Sequence, residues 1–277
     1  MKTYIFFDAE FRSDLEAHGR YRGMERLEAV ANPFEYRERH TADCRVNPRW
    51  CFKRMVAASW LVAVEDEDGQ LTPLRMKTVG QPEVDEAGIL RELFSDFRLY
   101  GKFAQIVTWG GNTDIPLIRL AAMEYGIRLP EHMRGAEHTP MNTGWHFDLM
   151  FPVCGGYRGR ERLHMAEVAA RLSVPAKLVC RPDDVADLIQ RGKWSQVKAV
   201  AEGDVLTTAL LFVRYQNMLG GPDPFRFDNQ LCSYVRDYRD YREYREDLLE
   251  WCEARRAEMM RDVFARANAE CAIGPFG

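Results

Sequence analysis

Asp8 and Glu10 stand two positions apart at the end of an apolar run, Tyr4-Ile5-Phe6-Phe7-Asp8-Ala9-Glu10-Phe11. Alternate side chains of an extended strand share a face, so both carboxylates project the same way. Two like charges held that close repel, and taking them out of water is costly unless a cation sits between them. The pair therefore reads as half of a divalent-metal site. A strand end running out into solvent has the same local pattern, and the rest of the acidic set separates the two readings.

Three further aspartates occupy marked places. Asp114 follows an apolar run and the turn Gly110-Gly111, Asp148 lies in His146-Phe147-Asp148-Leu149-Met150, and Asp204 lies within a long helical pattern, Glu202-Gly203-Asp204-Val205-Leu206-Thr207-Thr208. Singly, each fits a helix cap or a solvated charge. His146 and His164 have the chemistry to carry a proton, although a lone histidine is more often a packed structural group.

These residues need elements to hold them. Strand patterns cover Tyr4–Phe11, Phe52–Val64, Leu71–Val79, Gln105–Trp109 and His146–Phe151, the second and third joined as a hairpin through Glu65–Gly69. Apolar residues at helical spacing predict helices over Glu83–Leu99, from Asp114 with Leu117, Leu120, Ala121 and Tyr125 packed, and over Arg162–Leu172, Pro182–Arg191 and Trp194–Leu219. Residues 11 to 51 show no sustained period, and a short helix near Gly23–Ala31 is expected there because a structureless loop of that length is unusual. Strands alternating with helices after an initial hairpin point to an α/β layered fold.

Beyond Pro222 the pattern changes. Tyr234–Glu246 reads YVRDYRDYREYRE, and the run continues through Leu248 and Trp251 to about Ala272 as one expected helix. An aromatic and basic ladder suits stacking on single-stranded bases. A helix that docks its Tyr, Leu and Trp stripe on the main domain or a second subunit is favoured, because the acids neutralise the arginines. The chain divides at that point into residues 1–222 and a C-terminal helical extension, 223–277, through which a homo-oligomer is expected.

Composition narrows the class. The chain has 277 residues, 46% of them hydrophobic and 29% charged, with a formal charge of −4, which describes a globular α/β protein. A negative total gives no basic face to bind nucleic acid, although metal-binding acids lower it and a local basic groove is compatible with it. No apolar run has membrane-spanning length, and the short run after Lys2 ends in acids, unlike a signal peptide. Seven scattered cysteines without a Cys-x-x-Cys pair argue against a zinc module or disulfide framework and for a reducing cytoplasm.

Taken in order, Asp8-x-Glu10, the glycine turn leading to Asp114-Ile-Pro-Leu-Ile, His-Phe-Asp148-Leu-Met and Glu-Gly-Asp204-Val-Leu-Thr-Thr-x-Leu-Leu resemble the DEDD (DnaQ-like) 3′–5′ exonucleases. The subgroup resembled is that of predicted exonucleases related to the exonuclease domain of B-family DNA polymerases, and Val168–Arg214 is similar to it throughout. The resemblance spans roughly residues 1 to 220. It implies a ribonuclease H-like fold, a mixed sheet flanked by helices. It also implies that Asp8, Glu10, Asp114 and Asp204 hold two Mg²⁺ or Mn²⁺ ions that cleave phosphodiester bonds at a DNA or RNA 3′ end. Asp148 would orient the site from a neighbouring strand. Tyr157, Arg158 and Arg160, in a glycine-rich loop, and Lys177 are candidates to touch substrate phosphates.

Two departures qualify the expected activity. The second motif has Trp109 and Thr113 where the family has Asn and Phe. The third has Val200 four residues before Asp204, where the family places a tyrosine, and Ala199 where the other branch places a histidine. Valine can neither hydrogen-bond nor move a proton. An impaired nuclease-fold module that holds a nucleic-acid end or a protein partner is therefore the alternative, and an assembly protein built on the C-terminal helix is a third.

Overall fold

The computed structural model describes residues 2–24, 48–134, 144–156, 163–181, 184–238 and 242–272. Five strands form one mixed sheet: β1 (Lys2–Ser13), β2 (Lys53–Glu65), β3 (Leu71–Gly80), β4 (Ala104–Thr108) and β5 (His146–Asp148), in the order β3-β2-β1-β4-β5. The first three are antiparallel neighbours, whereas β4 runs parallel to β1 and β5 parallel to β4. The fold is α/β and ribonuclease H-like, as expected.

The two-residue period of β1 sorts its side chains between two cores. Ile5, Phe7 and Ala9 face one layer, in which α2 (Glu86–Tyr100) contributes Leu90, Leu93 and Phe94 and α3 (Asp114–Glu124) contributes Ile115 and Ile118. Tyr4 and Phe6 face the other layer and pack on α7 (Trp194–Met218), where Phe212 meets both rings. By the same alternation Asp8 and Glu10 belong to the α7 side. The remaining helices are α1 (Leu15–Met24), α4 (Met150–Val153), α5 (Met165–Arg171), α6 (Val185–Gln190), α8 (Pro224–Asp237) and α9 (Tyr244–Ala272).

Several expectations are corrected. The described residues hold a helix over Leu15–Met24, and the one expected near Gly23–Ala31 lies mostly outside them. The last strand stops at Asp148, because the Asp148 carboxylate accepts a hydrogen bond from the Met150 N–H and turns the chain into α4. Leu120 of α3 and Tyr125, which caps its end, are 38% and 37% exposed, and the buried face of α3 is Ile115, Leu117, Ile118, Ala121 and Ala122.

The C-terminal region holds two helices, not one. Tyr238 is extended (φ −65°, ψ 125°), so α8 ends there and α9 starts afresh at Tyr244. Leu231 and Val235 of α8 and Tyr244 and Leu248 of α9 join the core on the α7 side of the sheet. Tyr234 accepts a hydrogen bond from the Met76 N–H, Tyr244 donates to Glu202, and Trp251 donates to the Ser173 carbonyl. The aromatic stripe is therefore spent on docking within the chain. Cys232 and Cys252 are joined by a single disulfide between α8 and α9, where cysteine spacing argues only against a disulfide framework. No described helix is long and apolar enough to cross a membrane.

Candidate functional site

The acidic residues gather where the parallel strands end, the usual place for a site in a sheet with such connections. β1 presents Asp8 and Glu10 toward α7, and its register shifts immediately after Glu10. A bulge at that point bends the strand and re-aims the side chains beside it. Across from them, α7 contributes Asp204. One carboxylate oxygen from each of Asp8, Glu10 and Asp204 lies within 4.8 Å of the other two. These are hard oxygen donors with the spacing a divalent cation needs.

Asp114 does not join that group of three. It opens α3, which packs on the opposite face of the sheet, so it approaches around the strand ends. Its charge nonetheless acts on Asp8 and Glu10. Gly110 and Gly111 make the tight path from β4 to Asp114 possible. Gly110 has φ +75°, and a Cβ on Gly111 would collide with the Thr108 hydroxyl and come within 2.8 Å of His146 Nε2. Asp148 fastens this turn from β5, its Oδ1 accepting from the Gly110 N–H at 2.9 Å and the Met150 N–H at 3.1 Å.

Electrostatics show the strain of gathering acids without a cation. Burial, and then the Asp204 charge, push Glu10 up to about 8. Burial, and then Asp148, push Asp114 up to about 7. Asp8 is raised well above the carboxylate range by burial and by Asp204, Glu10 and Asp114. Asp204 is also raised by burial, against the pull of Lys177. The Lys177 ammonium sits 2.5 Å from Asp204 Oδ2 and interacts with Asp8 and Glu10, so a side-chain cation stands against the site. Such a cluster fits a divalent metal: its acids resist ionising together and already attract the nearest positive charge.

A cleft of about 340 Å³ opens over these groups, lined among others by Lys53, Cys180, Val185 and Val200. Val200 is 4% exposed and sits one helical turn before Asp204, offering only methyl groups to the cleft. Sequence reasoning missed Lys53 and Cys180. Lys53 pairs with Ser13 in the β1–β2 ladder, and its charge lowers the pKa of Glu10 and Asp114. Only the register across a long connection could have revealed it.

The other candidates fall elsewhere. Tyr157, Arg158 and Arg160 lie outside the described residues. His146 is buried against Thr108 Oγ1 at 2.9 Å, and burial lowers its pKa to about 4, so it is a neutral packing group. His164 precedes α5, its backbone N–H donating to Glu167 at 2.6 Å.

The chain is similar in fold to the family B DNA polymerase from the hyperthermophilic archaeon Pyrobaculum calidifontis, with a TM-score of 0.50 and 16% identity. The match covers 94% of this chain and 29% of the polymerase, so the chain spans under a third of that protein. No curated protein sequence matches it. Residues 48–255 match the model of a family described as predicted 3′–5′ exonucleases related to the exonuclease domain of PolB. That stretch takes in the Asp114, Asp148 and Asp204 motifs and most of the docked C-terminal helices. Asp8 and Glu10 precede it and are joined to it by the sheet. The chain belongs to this family of predicted exonucleases related to the exonuclease domain of PolB.

Proposed function

We propose that the protein is a 3′–5′ exonuclease that hydrolyses phosphodiester bonds at a DNA or RNA end with two Mg²⁺ or Mn²⁺ ions. The observation that carries this is the convergence of Asp8, Glu10 and Asp204 on one point, with Lys177 bound against them. Asp8, Glu10 and Asp204 would hold the ions, with Asp114 completing the set from the far end of β4. When bound, such ions stabilise both the attacking and the leaving oxygen of an in-line displacement.

The protein's own groups do the rest. Asp148 fixes the turn before Asp114, so that carboxylate meets the site at a constant place. Lys177, paired with Asp204 at 2.5 Å, would offer its ammonium to a substrate phosphate once a cation occupied the acidic group. Lys53, on the same cleft, adds a second positive charge for the backbone. Tyr157, Arg158 and Arg160 are assigned the same phosphate-contacting role. Val200 leaves the attacking water without a hydrogen-bonding side chain from that turn of α7.

That last feature favours a second reading, a nuclease-fold module that binds a nucleic-acid end without cutting it. Incubation with end-labelled single- and double-stranded DNA and RNA, with Mn²⁺, Mg²⁺ or chelator, separates the two. The exonuclease reading expects a ladder shortened from the 3′ end, absent with chelator and absent in Asp8→Ala. Retained substrate with no shortening, while Mn²⁺ is bound, would leave the binding module.

A further inference from the structure

The C-terminal helix touches the two segments that carry Asp204 and Lys177, and it does so through directed hydrogen bonds. Glu202 lies on α7 two residues before Asp204 and is 0% exposed. Its Oε2 accepts from Arg242 Nε at 2.7 Å and from the Tyr244 hydroxyl at 2.9 Å, while its Oε1 has no hydrogen-bond partner among the described residues. A buried carboxylate is costly unless paired, so its attachment to the start of α9 is strongly held. About two turns further along α9, Trp251 Nε1 donates to the Ser173 carbonyl at 2.8 Å.

Ser173 begins the short loop that ends at Lys177. Both residues have left-handed backbones, φ 53° and 52°, which non-glycine residues hold only when their surroundings impose it. The loop is pinned at its middle by α7, where Thr207 Oγ1 donates to the Pro175 carbonyl at 3.0 Å. Trp251 pins its start. Arg214 of α7 lies over the Trp251 ring and forms a two-point ion pair with Asp228 of α8, tying the three helices together.

We infer that Tyr244 and Trp251 are positioning residues for the metal centre, holding the roll of α7 and the course of the Lys177 loop. This rests on the metal-site reading above. A helix with its side chains has a radius of about 5–6 Å, so a roll of about 10° moves a carboxylate by about 1 Å. Metal ligand distances tolerate only about 0.2 Å. Glu202 and Asp204 project from opposite sides of α7, so a tether on the first restrains rotation of the second.

The test uses the full chain and direct Mn²⁺ binding by calorimetry, beside metal-free melting temperature. Trp251→Phe keeps an aromatic, though smaller, ring and loses the N–H donor; Tyr244→Phe loses the hydroxyl. Each is expected to weaken Mn²⁺ binding about tenfold, the low end of what groups behind the ligands contribute. Leu90→Val, a core change in α2 on the other face of the sheet, is expected to lower melting temperature and leave Mn²⁺ affinity unchanged. Wild-type affinity in both Trp251→Phe and Tyr244→Phe overturns the inference, as does an equal loss in Leu90→Val. Wild-type Mn²⁺ binding by Asp8→Ala would overturn the metal-site reading itself and this inference with it.

Discussion

Lys177 Nζ stands 2.5 Å from Asp204 Oδ2, so a buried carboxylate of the acidic group is already paired with a cation from its own chain. The pair is three-quarters or more withdrawn from solvent on both sides, at 25% and 11% side-chain exposure. It therefore sets what the metal-free protein tolerates.

Removing that ammonium leaves Asp8, Glu10 and Asp204 facing one another without the cation paired to Asp204, the Lys53 charge remaining beside Glu10. Lys177→Met is expected to lower the stability of the metal-free protein by about 3 kcal/mol, the scale for breaking a buried pair. Mn²⁺ should restore most of the loss, since the external ion takes the vacated place. Melting curves in chelator and in Mn²⁺ decide it; identical curves for variant and wild type in chelator would show that the pair does nothing for the empty site.

The raised acids give the metal-free protein a definite pH dependence. Asp114 titrates near 7 and Glu10 near 8 in the folded chain, chiefly through burial, against about 4 when unfolded. Between those values the folded state binds more protons, so stability falls as pH rises through 8. His146, lowered to about 4, acts in the opposite sense and only below about 6.5. The melting temperature in chelator is therefore expected to fall from pH 6.5 to 8.5. Mn²⁺ affinity should rise over the same range, with protons released on binding. A flat profile above pH 6.5 would contradict both assignments.

Val200 lines the cleft one turn before Asp204. Val200→Tyr would bring a hydroxyl to the place where a water must be oriented, and positioned acid–base groups contribute about 10²–10⁴-fold. An increase of at least about tenfold in cleavage at matched Mn²⁺ is expected, with Asp8→Ala/Val200→Tyr inactive. Brisk wild-type turnover unchanged by the substitution would mean that another group orients the water.

The Cys232–Cys252 bond closes a segment with a sequence separation of 20 residues. On the chain-entropy account a loop of that size contributes about 3 kcal/mol. Reduction with a dithiol, or the double change Cys232→Ser/Cys252→Ser, should lower the melting temperature by several degrees. Equal melting of oxidised and reduced protein would remove the bond from any account of stability.

Much of this molecule was legible where the signal is local. The two-residue alternation in Tyr4–Glu10 identifies both the strand and the shared face of its acids, and the apolar spacing of Ile89, Leu93 and Phe97 identifies α2. What escaped depends on contacts between distant segments. Nothing around Lys177 announces Asp204, and nothing in the Tyr-Arg-Asp echo announces that Tyr238 leaves the helix. Arg242 and Tyr244 reach Glu202 only because the chain breaks there. The exposure of Leu120 and Tyr125 follows from where α3 meets the sheet, which helical spacing alone leaves undetermined. Cys232 and Cys252 are paired by two helices whose crossing has no signature in cysteine spacing.

The site is also assembled from pieces that leave the ribosome far apart in time. Asp8 emerges on β1, Asp114 after β4, and Asp204 only within α7, which must lie down across β1 before the three-carboxylate group exists. Chains are made from the N-terminus at about 5–20 residues per second, and domains fold as units as they appear. A growing chain that has completed its sheet still lacks the third carboxylate. On the proposed function, phosphodiester cleavage would thus be withheld from the nascent chain, at the moment when it lies closest to the messenger that encodes it.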